Sequence, residues 1–140
     1  MVIYCAGPIK GDTTFQNFYI DIIEHLSSLK HTALSELNED FKSAIPLTAV
    51  QIFKRDMKWI ERSKMVIAEV SAPSLGVGFE IAYAIYEKKM PVLAFAHSSV
   101  EKVSAMIEGC NSNLLTLRKY SSKEDIGVAI NNYFLNKNSF

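Results

Sequence analysis

Strand-like and helix-like stretches alternate along the whole of this 140-residue chain, and that alternation restricts its fold more than any other feature. Val2 to Ala6 is a short β-branched and aromatic run that stops at Gly7-Pro8, and Met65 to Val70 and Pro91 to Phe95 have the same character. Continuous apolar runs of this length predict strands buried on both faces. Between the first two lies a helical stripe, with Phe15, Phe18, Tyr19, Ile22, Ile23, Leu26 and Leu29 recurring every three or four residues and Asp12 or Thr13 available as its cap. A second helix is predicted from Thr48, its cap, through Val50, Phe53, Met57 and Ile60 to about Ser63. Phe79, Ala82, Tyr83 and Tyr86 mark one face of a third, Val100 to Ile107 a fourth, and Asp125 to Leu135 a terminal helix with Ile126, Ala129, Ile130, Tyr133 and Phe134 inward. His31 to Glu36 and Leu114 to Leu117 supply further strands, while Leu37 to Pro46 is polar and irregular.

Parallel neighbours in a sheet need crossover helices, so the pattern predicts one α/β domain over residues 1–140. The expected architecture is three-layered α/β/α, Rossmann-like or flavodoxin-like, with a parallel sheet of about five strands. Ligands in such sheets bind beyond the carboxyl ends of the strands, which directs attention to Tyr4–Lys10 and Ser71–Glu80. The 15 basic and 15 acidic residues cancel, which leaves no excess positive charge for holding a nucleic-acid polymer. No run approaches the ~20 apolar residues of a membrane span. Cys5 and Cys110 have neither CxxC spacing nor a nearby His cluster, so a reducing, cytoplasmic setting is expected, or a nuclear one in a eukaryote. His25, His31 and His97 are scattered, so no metal site or other cofactor is expected.

The stretch Ser74-Leu-Gly-Val-Gly-Phe-Glu80 follows the Met65–Val70 strand. Ser74 can face a phosphate or simply cap a helix. Gly76 and Gly78 clear side chains from the approach, although the third glycine of a dinucleotide fingerprint is missing. Glu80 is expected near a helix start, where the dipole favours its ionised form by roughly 0.3–1 kcal/mol, and that is also its plain structural reading. Asp56 lies beside the apolar stripe of the second helix and can point at the sheet end, whereas Arg55, Lys58, Glu61 and Arg62 read as a solvated charged face. Tyr4 reads as core, or as a phenol able to hold a carboxylate.

Four segments, taken together, carry a resemblance. Ile3-Tyr-Cys-Ala-Gly-Pro-Ile-Lys-Gly11, Asp56-Met-Lys-Trp59, Val66 through Glu80 and Val103-Ser-Ala-Met-Ile-Glu-Gly109 resemble the nucleoside 2-deoxyribosyltransferase superfamily, and within it the 2′-deoxynucleoside 5′-monophosphate N-hydrolases. The resemblance runs in order over nearly the whole chain and is weakest between Leu37 and Val50. It implies that Glu80 is a nucleophile forming a glycosyl-enzyme intermediate, Asp56 the acid that assists departure of the base, and Tyr4 the phenol that positions the nucleophile. It further implies that Ser74 donates to a 5′-phosphate, that Ser104 reaches the phosphate of a neighbouring subunit's substrate in a homodimer, and that Gly7, Ile9, Gly76 and Gly78 wall the nucleotide.

The implied reaction is hydrolysis of the N-glycosidic bond, and it suits these residue types because a carboxylate can trap the oxocarbenium-like centre that develops. Charge-assisted hydrogen bonds of about 1.5–3 kcal/mol each, from two serines and Lys10, would separate nucleotides from nucleosides. Pro8 and Lys10 stand where the hydrolases carry serine and arginine, and Gly7-Pro8 is common in the transferase branch. Base exchange between deoxynucleosides is therefore the alternative, and a non-catalytic nucleotide sensor a second. Asn138-Ser-Phe140 does not resemble the tail with which transferases complete a neighbour's site.

Overall fold

The computed structural model describes residues 1–136, so the tail at Asn138–Phe140 lies outside the described residues. Five strands, β1 (Val2–Ala6), β2 (Thr32–Leu34), β3 (Met65–Glu69), β4 (Val92–His97) and β5 (Leu115–Tyr120), form one sheet in the order β2-β1-β3-β4-β5. Every pairing is parallel, with Tyr4 opposite both Leu34 and Val66, and Ala68 opposite both Ala6 and Ala94. Period-two alternation sends neighbouring residues to opposite faces. Tyr4, Ala6, Val66, Ala68, Val92 and Ala94 share one core with helices α2 (Ala49–Arg62) and α3 (Leu75–Ala82), while Ile3, Cys5, Met65, Ile67, Leu93 and Phe95 share the other with α1 (Gln16–Ser28) and α5 (Lys123–Asn136). The expected three-layer α/β/α arrangement is what forms. Both faces of the central strands are apolar because both are covered.

Several helix expectations need correction. Neither Asp12 nor Thr13 caps α1: Asp12 folds back to accept from the Thr14 amide at 3.0 Å and hydroxyl at 2.6 Å, and Phe15 occupies the cap position with no side-chain bond. Leu29 is 38% exposed because the helix ends at Ser28. Thr48 does cap α2, in a reciprocal box with Gln51, yet Val50 and Phe53 of its apolar stripe are exposed and only its later turns reach the sheet.

On α3 the face expected to be buried is the outer one. Val77 and Ile81 face the sheet, as do Ala84 and Ile85 in the π-helical turn Tyr83–Glu87 that continues it, while Phe79, Ala82 and Tyr86 point away. Both faces are apolar, so periodicity alone could not choose between them. The helix expected over Val100–Ile107 is reduced to the single turn α4 (Ala105–Glu108), capped by Ser104. β5 runs three residues beyond its expected end, to Tyr120. Among the described residues no helix is long and apolar enough to cross a membrane.

Candidate active site

Tyr4, Asp56 and Glu80 come from three different elements and meet at the carboxyl end of the sheet. Tyr4 is two residues short of the end of β1 and, being in register with Val66, points to the α2–α3 side. Its hydroxyl donates to Glu80 Oε2. Glu80 is not at the helix start as expected: α3 begins at Leu75, so the carboxylate sits in the second turn, where the dipole has faded. Burial dominates instead and pushes its pKa up to about 7, against the Tyr4 hydrogen bond, with the nearby negative charge of Asp56 adding to the rise. Asp56 is also raised by burial, and Arg55 opposes that rise. Burial holds the Tyr4 phenol far above its ordinary value, so it remains a proton donor.

Two residues that sequence reasoning set aside belong to this cluster. Arg55 is 17% exposed at its side chain and is no part of a solvated face. Its Nε donates to Asp56 Oδ1 at 2.9 Å and its Nη2 to Glu36 Oε2 at 2.8 Å, and its guanidinium lies 4.6 Å from the ring centroid of Trp59. The signal for this was present as an Arg and a Trp four apart on one helix, a spacing that stacks them. Glu36 follows the end of β2, where the topology gathers polar groups.

The first loop is shaped by packing. A Cβ on Gly7 would lie 2.5 Å from the Tyr19 ring, so glycine is required there by α1, whatever its relation to a ligand. Gln16 Nε2 donates to the carbonyl of Pro8 at 2.8 Å and reaches that of Ile9 at 3.4 Å, which ties the loop to α1. Gly11 has φ +79°, a left-handed conformation that suits glycine. Lys10 is exposed.

The expected site residues fall into two groups. Tyr4, Gly7, Ile9, Asp56 and Glu80, with the unexpected Arg55 beside them, line a small cavity of about 50 Å³. Ser74, Gly78 and Ser104 instead line a broad, mostly apolar groove of about 820 Å³ between α3 and the α4 turn. Lys10 and Gly76 are on neither lining. Ser74 caps α3 by accepting from the Val77 amide at 3.3 Å, and Ser104 caps α4 by accepting from the Met106 amide at 3.3 Å. Both serines therefore have their structural role, and each keeps a hydroxyl hydrogen that can be donated. A Cβ at Gly76 or Gly78 would meet nothing within 4 Å in the chain itself. The small cavity joins a poised carboxylate, a second carboxylate and a phenol, a set suited to covalent catalysis at an acetal-like carbon. Among the described residues no group of three or more His, Cys, Asp or Glu is placed to hold a metal ion.

Comparison with known proteins gives this geometry a context. The model of the nucleoside 2-deoxyribosyltransferase family matches residues 3–131. The 5-hydroxymethyl-dUMP N-hydrolase of Esox lucius is 34% identical over 140 residues, covering 96% of each chain. That of Tetraodon nigroviridis is 32% identical over 143 residues, covering 98% of this chain and 99% of its own. Among solved structures, a CMP N-glycosidase of Clostridium botulinum superposes with a TM-score of 0.70 at 16% identity, over 94% of this chain and 98% of that one, and shares the fold. A 2-deoxyribosyltransferase of Bacillus psychrosaccharolyticus does so with a TM-score of 0.65 at 17% identity, over 89% of each. With the family pattern spanning nearly its whole length and two relatives above 30% identity end to end, the chain belongs to the nucleoside 2-deoxyribosyltransferase family.

Proposed function

We propose that this protein hydrolyses the N-glycosidic bond of 2′-deoxynucleoside 5′-monophosphates, releasing free base and deoxyribose 5-phosphate. The observation that carries the reading is the convergence of Tyr4, Asp56 and Glu80 on one cavity, with the Tyr4 hydroxyl on the Glu80 carboxylate. The hydrolase names of the Esox and Tetraodon relatives support water as the acceptor.

In the first step a Glu80 oxygen bonds to C1′ as the C1′–N bond breaks, and the bonding pair leaves on the base together with a proton from Asp56. Tyr4 holds Glu80 in line. In the second step Asp56, now ionised, takes a proton from water, whose oxygen displaces Glu80 from C1′. Positioned acid–base catalysis of this kind contributes about 10²–10⁴-fold. Gly7, Ile9 and Gly78 form the walls and Ser74 meets the phosphate, while Gly76 and Lys10, on neither lining, are brought to the nucleotide by the family resemblance alone.

Ser104 belongs to the same reading through a homodimer. Leu75 is 97% exposed, Met106 83% and Phe79 55%, all on the groove that holds Ser74 and Ser104, and Phe53 on α2 extends this apolar surface with its ring 6.2 Å from that of Phe79. A second copy covering this face would bury those side chains and carry its Ser104 toward the first copy's phosphate. Leu75→Glu should then yield a monomer by analytical ultracentrifugation; a monomeric parent refutes the dimer.

The deciding assay measures base release from a panel of deoxynucleotides, ribonucleotides and their nucleosides. Free base from the deoxynucleoside monophosphates, lost in Glu80→Ala, is the expected result. Release that requires a second base, or that ignores the phosphate, assigns the transferase activity instead. Tight nucleotide binding without release would make the chain a sensor.

A further inference from the structure

Of Tyr4, Asp56 and Glu80, Asp56 is the one that forms an ion pair among the described residues. One of its carboxylate oxygens, Oδ1, accepts from Arg55 Nε at 2.9 Å, and the same guanidinium is fixed by Glu36 on one side and by the Trp59 ring on the other. Trp59 is in turn packed edge-on against Phe41, with centroids 6.1 Å apart. Four side chains thus fix the direction of a single bond to Asp56. A residue that merely supplied positive charge would need no such bracing, since a lysine ammonium can follow its partner.

We propose that Arg55 is a positioning residue for Asp56: its braced fork occupies Oδ1 so that the other oxygen faces the leaving base, and its charge limits the Asp56–Glu80 pair to one proton. This rests on the N-glycosidase reading of the cavity. The productive arrangement has a proton on Asp56 and none on Glu80, so the pair must hold one proton in total. Gain of a second proton stops the nucleophile and loss of the first stops the acid, and both limbs of the pH profile belong to the pair.

The groups facing Asp56 are Arg55 beside it on α2, Tyr4 from β1, Glu80 from α3, Glu36 after β2 and, more distantly, Tyr19 from α1. Tyr4 and Arg55 favour the ionised form of Asp56, whereas Glu36 opposes it. Arg55 also favours the ionised form of Glu80, although more weakly than Tyr4 does. Removing the guanidinium makes both protons of the pair bind more tightly, so both limbs move to higher pH.

Two variants separate charge from fork, read as kcat and kcat/KM against pH on the full-length protein. In Arg55→Met both limbs should move to higher pH and the plateau kcat should fall by roughly 10- to 100-fold, the scale of a misaligned catalytic group. Arg55→Lys should keep the limbs near those of the parent but lose plateau kcat, with KM little changed. A general loss of stability would lower activity at every pH without moving the limbs, so unmoved limbs in Arg55→Met overturn the charge role. An unchanged plateau in Arg55→Lys overturns the positioning role. If the parent releases no base, carboxyl-carbon NMR titration of the free protein still decides the charge role: Asp56 must titrate at higher pH in Arg55→Met than in the parent, and an unchanged titration overturns it.

Discussion

Glu69 and Glu80 are both carboxylates drawn out of water beside the carboxyl ends of the strands, and burial pushes both toward the protonated form, but their surroundings differ. Glu69 ends β3 on the α1–α5 side, is 2% exposed, and has each oxygen matched to a donor. The Ser71 amide donates to its Oε1 at 2.7 Å, while the Ser71 hydroxyl at 2.8 Å and the Tyr120 hydroxyl at 2.5 Å donate to its Oε2. The Ser71 hydroxyl also accepts from the His97 amide at 2.7 Å, so this carboxylate ties together the ends of β3, β4 and β5 and the turn leading to Ser74. Glu80, on the opposite side of the sheet, has the Tyr4 hydroxyl, a second carboxylate nearby and a cavity in front of it. A buried carboxylate with both oxygens hydrogen-bonded inside the protein is a brace; one left partly unsatisfied toward a cavity is available to a ligand.

The sharpest way to break this contrast is to remove each carboxylate and measure turnover. Glu80→Ala should lose base release on the order of 10⁴-fold or more, because in the proposed mechanism Glu80 is the group that takes the covalent bond to C1′. Glu69→Gln should retain kcat within about tenfold of the parent, since it touches no reacting atom. Comparable losses in single-turnover assays of the two variants would erase the distinction between brace and nucleophile.

A smaller effect concerns the phenol on Glu80; Glu69 also accepts from a phenol, that of Tyr120, but alongside two donors from Ser71. Tyr4 donates to the ionised carboxylate and so lowers the Glu80 pKa against the effect of burial. Tyr4→Phe removes that support, Glu80 ionises only at higher pH, and the acidic limb of kcat/KM moves upward. Loss of a hydrogen bond to a charged group, about 1.5–3 kcal/mol, corresponds to roughly a 10- to 100-fold fall at neutral pH. A profile that falls evenly, with its acidic limb unmoved, would mean that Tyr4 is simply packing.

Why the sequence made some of this readable follows from the same physics. β1, β3 and β4 were legible because a strand covered on both faces must be continuously apolar, and Thr48 because a capping box is local. The Tyr4, Asp56 and Glu80 trio was legible through the resemblance and not through spacing, since the side chains meet across 76 residues of chain between Tyr4 and Glu80. The inner face of α3 was not legible: Phe79, Ala82 and Tyr86 are as apolar as Val77, Ile81 and Ile85, and tertiary packing chooses between them. Arg55 was missed because a charge on an amphipathic helix reads as solvated until the fold brings Glu36 to it. Glu69 was passed over because the Tyr120 hydroxyl that satisfies it lies 51 residues away.

The smallest expected effect, and one that differs in size between the two sites, is on stability. Glu80 has a pKa of about 7 in the folded protein against 4.5 as its ordinary value, so between those limits the native state binds more proton than the unfolded chain. Stability from this group is therefore complete below about pH 4.5, falls as pH rises to about 7, and stays at its lower value above. Glu80→Gln removes the charge and keeps the shape. It should raise the melting temperature at pH 8 by several degrees, an upper bound of the order of 3 kcal/mol, and give no gain at pH 4. Glu69→Gln is relieved of a buried charge in the same sense, but its amide nitrogen must face either the Ser71 amide or the two hydroxyls, so its gain at pH 8 should be smaller or absent. The cost is about 1–3 kcal/mol for donors left without an acceptor. If Glu69→Gln raised the melting temperature at pH 8 as much as Glu80→Gln does, the hydrogen bonds around Glu69 would not distinguish it from Glu80, and the contrast between the two carboxylates would reduce to position in the sheet.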